Sequence, residues 1–126
     1  PLPELVECLH FGQSLPFIKR SVESLQKYIN GIHHNSNENG IGFDDYMNFV
    51  NASSNNENLS SVVNSKFDLI LTNLNTLNDP LSSELLTNNS QVNLAYDAMQ
   101  DLVPYIKVDM TSALGVLITY ADNDGD

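Results

Sequence analysis

The stretch "SLPFIKRSVESLQKYINGI" places apolar side chains at Ile18, Val22, Leu25, Ile29 and Ile32, with polar residues between them. Steps of four and three residues return to one side of an α-helix, so the spacing predicts an amphipathic helix. Ser14 stands where it can cap the first turn, Pro16 falls where a first-turn proline is tolerated, and Gly31 marks the exit. The next segment, "HHNSNENGIG", has almost nothing to bury and reads as a surface loop. "FDDYMNFVNA" is apolar at Phe43, Tyr46, Met47 and Val50, which predicts a short helix laid on the core. The Asn-rich "SSNNEN" reads as a second connector.

From Leu59 the apolar set runs through Val63, Phe67, Ile70, Leu74 and Leu77, again at helical spacing. "LNDP" closes that helix, because Asp79 before Pro80 is disfavoured in the helical region. "PLSSELLTN" supplies one or two turns, and Asn89 or Ser90 can cap a final helix. Its stripe is Val92, Ala95, Met99, Leu102, Ile106, Met110, Ala113, Leu117 and Tyr120, sustained for about eight turns. Pro104 lies inside it and predicts a kink or break near Val103. No segment alternates cleanly between apolar and polar as a half-buried strand does. The pattern predicts an all-α fold: one domain over residues 1–126, an up-and-down bundle of three long helices plus short ones.

Charge narrows the partners. Sixteen acids against five Lys and Arg give a formal net charge of −11, which repels nucleic-acid backbones and anionic lipid surfaces. Such a surface attracts basic proteins or metal ions, or serves only to keep the chain soluble. The single cysteine, Cys8, excludes an internal disulfide framework and Cys-rich metal clusters. No run approaches the roughly 18 apolar residues of a membrane span. "PLPELVECLH" lacks the basic-then-apolar order of an export signal, so the signal of an exported form would lie outside this chain. A start at Pro1 fits processing, a fragment, or removal of a preceding methionine.

Several groups could carry chemistry. Tyr105, Asp109, Ser112 and Val116 follow four-three-four spacing and line one helical stripe beside the apolar face. A carboxylate at such a margin must be hydrogen-bonded, paired or metal-bound. That stripe reads either as a helix boundary facing a connector or as a contact surface for a ligand or second domain. In the tail "DNDGD", Asp122, Asp124 and Asp126 begin as oxygen-rich calcium loops do, but a complete loop continues to a bidentate Glu, so an acidic helix stop is the competing reading. His33 and His34 adjoin in a loop near Glu38, without the helical separation that lets metal-binding pairs share a face. Asp44 and Asp45 favour the first turn of the short helix, where the dipole stabilises negative charge. Cys8 and His10 lack an orienting third group for catalysis, and a buried structural thiol is the commoner arrangement. Gly-rich phosphate cradles, the nucleophile elbow and paired general acids are absent.

The segment "AYDAMQDLVPYIKVDMTSALGVLITYADNDGD" resembles the C-terminal signature of the imelysin family, in particular the imelysin-like envelope proteins of Bacteroidetes. "YINGI", "GIGFDDYMNFV" and "LNTLNDPLSSEL" agree with it upstream. The resemblance implies an all-α protein of two helical-bundle halves, secreted or lipid-anchored in the cell envelope or periplasm. The family includes iron-regulated proteins, relatives of periplasmic iron-uptake components, and an insulin-cleaving peptidase. Its motif Gly-x-His-x-x-Glu, proposed to bind metal or act in catalysis, belongs to the preceding half. Gly31 and His33 imitate its beginning, but Ser36 stands where the Glu would be, and the motif is not carried over. Asp109 and Ser112 match the terminal pattern D-x-x-S-A-L-G-V, and Ala113 and Gly115 would let another helix approach closely.

The resemblance thus makes this chain the C-terminal half. Its expected function is to bind a ligand or a metal, iron or another divalent ion, at an interface completed by the N-terminal half. Asp109 serves there as ligand or acceptor, Ser112 as support and Tyr105 as a third contact. An imelysin-type metallopeptidase and a purely structural interaction bundle are the alternatives. A hydrolytic metal site needs about three protein ligands and an open position, and no His/Glu set at helical spacing occurs here.

Overall fold

The computed structural model describes residues 2–116, so Leu117, Tyr120 and the tail acids Asp122, Asp124 and Asp126 lie outside the described residues. The fold is an all-α bundle built on three long helices: α1 (Ser14–Ile29), α3 (Leu59–Asn75) and α5 (Asn89–Pro104). Two short helices, α2 (Phe43–Phe49) and α4 (Leu81–Thr87), pack at their ends. Helix α3 is the central element, touching α1 on one side and α5 on the other. Its buried residues Leu59, Val63, Phe67, Ile70 and Leu74 follow the four-three rhythm and form the spine of the core. Leu15 and Ile29 close on it from α1, Met47 from α2, and Ala95, Ala98 and Leu102 from α5.

Helix α1 begins at Ser14 as the sequence predicts, but Ser14 does not cap it. Its hydroxyl donates to the Glu7 carbonyl instead. The Ser14 and Leu15 backbone N–H groups donate to the Asp79 carboxylate at 3.1 and 3.2 Å. The cap therefore comes from a residue 65 positions away, at the turn that closes α3. A carboxylate there satisfies donors that a helix start leaves open and meets the positive end of the dipole. Asp79→Ala is expected to lower stability by about 1–2 kcal/mol, as lost caps do. Asp79→Asn, which keeps an acceptor oxygen, is expected to lose less than half of that in the same urea titration.

At its other end α1 stops on Gly31. The Ile32 N–H reaches the Lys27 carbonyl at 2.8 Å and the Gly31 N–H reaches Tyr28 at 3.3 Å, with Gly31 at φ +62. This is a Schellman termination. Side-chain amides join α1 to α3: Asn30 and Asn64 exchange hydrogen bonds at 2.7 and 3.1 Å, and Gln26 donates to Asp68 at 3.0 Å. The loop that follows is exposed, as its composition predicts.

The second Asn-rich connector departs from expectation. It folds into a two-stranded antiparallel hairpin, β1 (Ser53–Ser54) and β2 (Glu57–Asn58), turned by Asn55 and Asn56 at φ +51 and +67. Asn tolerates the left-handed region, and two such residues in succession match the twist of a tight hairpin. Asn58 then caps α3 by accepting from the Ser61 N–H at 2.9 Å. In α2 only Met47 is fully buried, while Tyr46 is 43% exposed and Val50, just past the helix, is 37% exposed.

The last helix differs most. The expected disturbance at Pro104 takes the form of a change of helix type: residues Tyr105–Met110 form a π-helical segment. A final turn, α6 (Thr111–Ala113), then ends on Gly115 at φ +66, with Val116 N–H to Thr111 carbonyl at 2.9 Å. Gly115, the glycine expected to admit a neighbouring helix, is a stop of the same kind as Gly31. A Cβ on it would meet nothing within 4 Å. The predicted stripe nonetheless stays on the core through this change of helix type, with Leu102 and Met110 buried and Ile106 and Ala113 packed against it.

Candidate functional site

Proline has no N–H to donate into the turn before it, and the chain after Pro104 adopts the wider i→i+5 hydrogen bonding of a π-helix. The Thr111 hydroxyl donates to the Lys107 carbonyl at 2.7 Å and lies 3.2 Å from that of Val108, supplying acceptors in the distorted segment with a partner. Each residue gained by a turn rotates everything downstream by about 100° relative to a regular α-helix. That rotation decides which of the predicted site residues meet.

Tyr105 and Asp109 do meet. Both line an open recess of about 530 Å³, together with Ser54 and Asn55 of the hairpin, Lys66 of α3, and Gln100, Asp101 and Pro104 of α5. Ser112 does not line it. Its position turns away, and it is exposed, with its backbone carbonyl accepting from Gly115. The predicted stripe is thus split, with its first two members in the recess and the third on the open surface.

Lys66 organises this recess. Its ammonium lies 3.6 Å from Asp101 and 5.5 Å from the centre of the Tyr105 ring. The Asp101 side chain is 65% exposed, so the ion pair contributes little, about 0–1 kcal/mol. The ring contact is of the same small order, about 0.5–1 kcal/mol at an exposed position. Such weak contacts leave the recess free to rearrange around a ligand. It offers one cation, two carboxylates, a phenol and the polar side chains of Ser54, Asn55 and Gln100. Of these, Asp101 was within reach of the sequence, since Asp101, Tyr105 and Asp109 stand at steps of four. Lys66 and the hairpin residues come from distant parts of the chain and carry no such signal.

The donor set of the recess does not fit a resident iron or other divalent ion. Among the described residues no group of three His, Cys, Asp or Glu is placed to hold a metal. In the recess a lysine ammonium already lies against one of the two carboxylates. His33 is engaged inside its own loop: its Nδ1 accepts from the Asn35 and Ser36 N–H groups, both at 3.3 Å. The Ser36 hydroxyl links that imidazole to the Glu38 carboxylate at 3.1 Å. Asp44 and Asp45 occupy the first turn of α2, where Asp45 accepts from the Gly42 N–H at 3.0 Å, and one buried oxygen of Asp44 has no partner. Cys8 is exposed rather than buried, in a left-handed turn.

On the other side of α5 lies a second, apolar crease between α1 and α5, floored by α3. Tyr105 and Asp109 line the recess, whereas Ile106 and Lys107 line the crease. Among the described residues no helix is long and apolar enough to cross a membrane. The fold and the recess define an acidic helical bundle with a polar surface site. No protein-family model, curated protein or solved structure matches the chain.

Proposed function

We propose that this chain is a non-catalytic binding module: the C-terminal half of a two-half, imelysin-like helical protein of the cell envelope, which contributes Tyr105 and Asp109 to a polar ligand site. The observation that carries the reading is that Tyr105 and Asp109, both in the π-helical segment after Pro104, line one recess with Lys66 and Asp101. π segments inside helices often occur at functional sites. The recess is open on one side, which suits a site whose remaining wall comes from the preceding half. Its mixture of one cation, two carboxylates and neutral donors suits an organic polar ligand better than a bare metal ion. A link to iron uptake would then run through a polar carrier of iron, or through the other half, rather than through iron held here.

The test is a thermal-shift screen of polar small molecules and divalent cations, Fe(II) included, against the two-half protein, with hits titrated on variants. Asp109→Asn is expected to lower affinity about tenfold, the size of one lost hydrogen bond to a charged group. Tyr105→Phe is expected to weaken binding less, and Ser112→Ala not at all. Melting of the ligand-free protein should be unchanged in all three. A ligand that binds Asp109→Asn as tightly as the parent would remove the recess from the account.

A further inference from the structure

Asp109 lines the polar recess and is half-buried, and among the described residues no side chain hydrogen-bonds or ion-pairs with it. A carboxylate drawn partly out of water is stabilised by a cation or a hydrogen-bond donor. An organic ammonium is the cation that asks least of the protein here, since one carboxylate already serves it, whereas a metal ion needs several ligands at once. The opposite charge stands in the same recess. The Lys66 ammonium lies 3.6 Å from Asp101, and its side chain is 26% exposed while that of Asp101 is 65% exposed. Water screens such a pair, and an ammonium has three N–H donors, so Lys66 can take a second, anionic partner. Asn55 and Gln100 add neutral amides, and Tyr105 adds a ring and a phenol. The recess thus presents a positive group for an anion and negative groups for cations within one volume of about 530 Å³, inside the range of roughly 300 to 1,000 Å³ for small-molecule pockets.

We propose, resting on the reading of the recess as a ligand site, that its ligand is a free α-amino acid with a basic side chain. The α-ammonium pairs with Asp109, the α-carboxylate with Lys66, and the side-chain cation with Asp101 beside the Tyr105 ring. The whole chain's net charge of −11 favours an amino acid of net positive charge over a neutral or acidic one, because its field attracts the first and repels the last. A phosphate or nucleotide would meet Asp101 and Asp109 as like charges. No bond is made or broken, so the site holds its ligand and releases it unchanged.

Titration of the 126-residue chain, followed through the backbone resonances of Lys66, Tyr105 and Asp109, tests this with arginine and three relatives that each lack one charge: N-acetylarginine, arginine methyl ester and citrulline. Arginine is expected to saturate a single site, and each relative to bind about tenfold more weakly, the size of one lost charge-assisted contact. Asp109→Asn should weaken arginine about tenfold and leave N-acetylarginine unchanged, because that ligand already lacks the group Asp109 holds. Lys66→Gln should likewise weaken arginine and leave the methyl ester unchanged. No saturable binding by arginine would overturn the assignment, as would losses in the variants that simply add to those of the altered ligands. Glucose titrated in parallel separates two kinds of failure. If glucose moves these resonances with a dependence on Asp109 and arginine does not, the recess stands as a ligand site and the amino-acid class is wrong. If neither moves them, the reading of the recess falls as well.

Discussion

Phe67→Ala is expected to destabilise the bundle by about 3–5 kcal/mol, the range for removing a buried aromatic ring. Phe67 is 1% exposed and sits at the middle of the α3 stripe, with Val63 one turn before it and Ile70 and Leu74 after it, each no more than 1% exposed. Loss of the ring removes apolar surface from the core and leaves a void between helices whose backbones are fixed by the Asn30–Asn64 and Gln26–Asp68 bonds. Folded proteins of ordinary stability hold about 5–15 kcal/mol in total, so the variant should sit near the edge of folding at physiological temperature. Urea denaturation followed by helical circular dichroism reads this directly. Phe49→Ala, at a position 81% exposed, should shift the midpoint by no more than about 0.5 kcal/mol. Similar losses in the two variants would mean that α3 is not the centre of the core.

The second large effect is expected at Gly31. It sits at φ +62, and a Cβ there would lie 2.6 Å from the Gly42 nitrogen and from the Ile41 carbonyl carbon. A left-handed conformation alone costs a side-chain-bearing residue about 1–2 kcal/mol. Two backbones must also part, because no flexible side chain is available to yield, and overpacking of this sort costs about 1–3 kcal/mol more. Gly31→Ala is therefore expected to lose about 3 kcal/mol, and the damage should reach the start of α2 through Gly42. Gly115→Ala is the informative contrast. It has a similar φ of +66 but open space around it, so only the conformational part, about 1–2 kcal/mol, should appear. Equal losses at the two glycines, measured by the same denaturation, would show that the Gly31–Gly42 contact contributes nothing.

These two sites illustrate which features a sequence displays. The three long helices were legible because each buries an apolar stripe, and Val63, Phe67, Ile70 and Leu74 record that of α3 in their spacing. Gly31 was legible as a stop because few residues adopt a left-handed conformation at low cost. Gly115 was read only as a place for close approach, and its role as a helix stop went unnoticed. The cap of α1 was hidden because its acceptor, Asp79, lies 65 residues away, and local sequence contains only the unsatisfied donors. Asn55 and Asn56 carried a turn signal, but two-residue strands are too short to show alternation. The π segment was the costliest omission for the site. A stripe drawn at 3.6 residues per turn takes Ser112 onto the same side as Tyr105, and the wider turn removes it. Asp109 survives because it lies only four residues on from Tyr105, and Lys66 enters from another helix entirely.

The central claim is that this bundle works as one half of a larger helical pair. Native mass spectrometry of the 14.0 kDa chain mixed with a helical half that bears Gly-x-His-x-x-Glu tests it most directly. The account predicts a one-to-one complex at micromolar concentration, with the Tyr105 and Asp109 region protected from hydrogen exchange relative to the free chain. Only the separate 14.0 kDa species, with exchange around the recess unchanged by the added half, would contradict it.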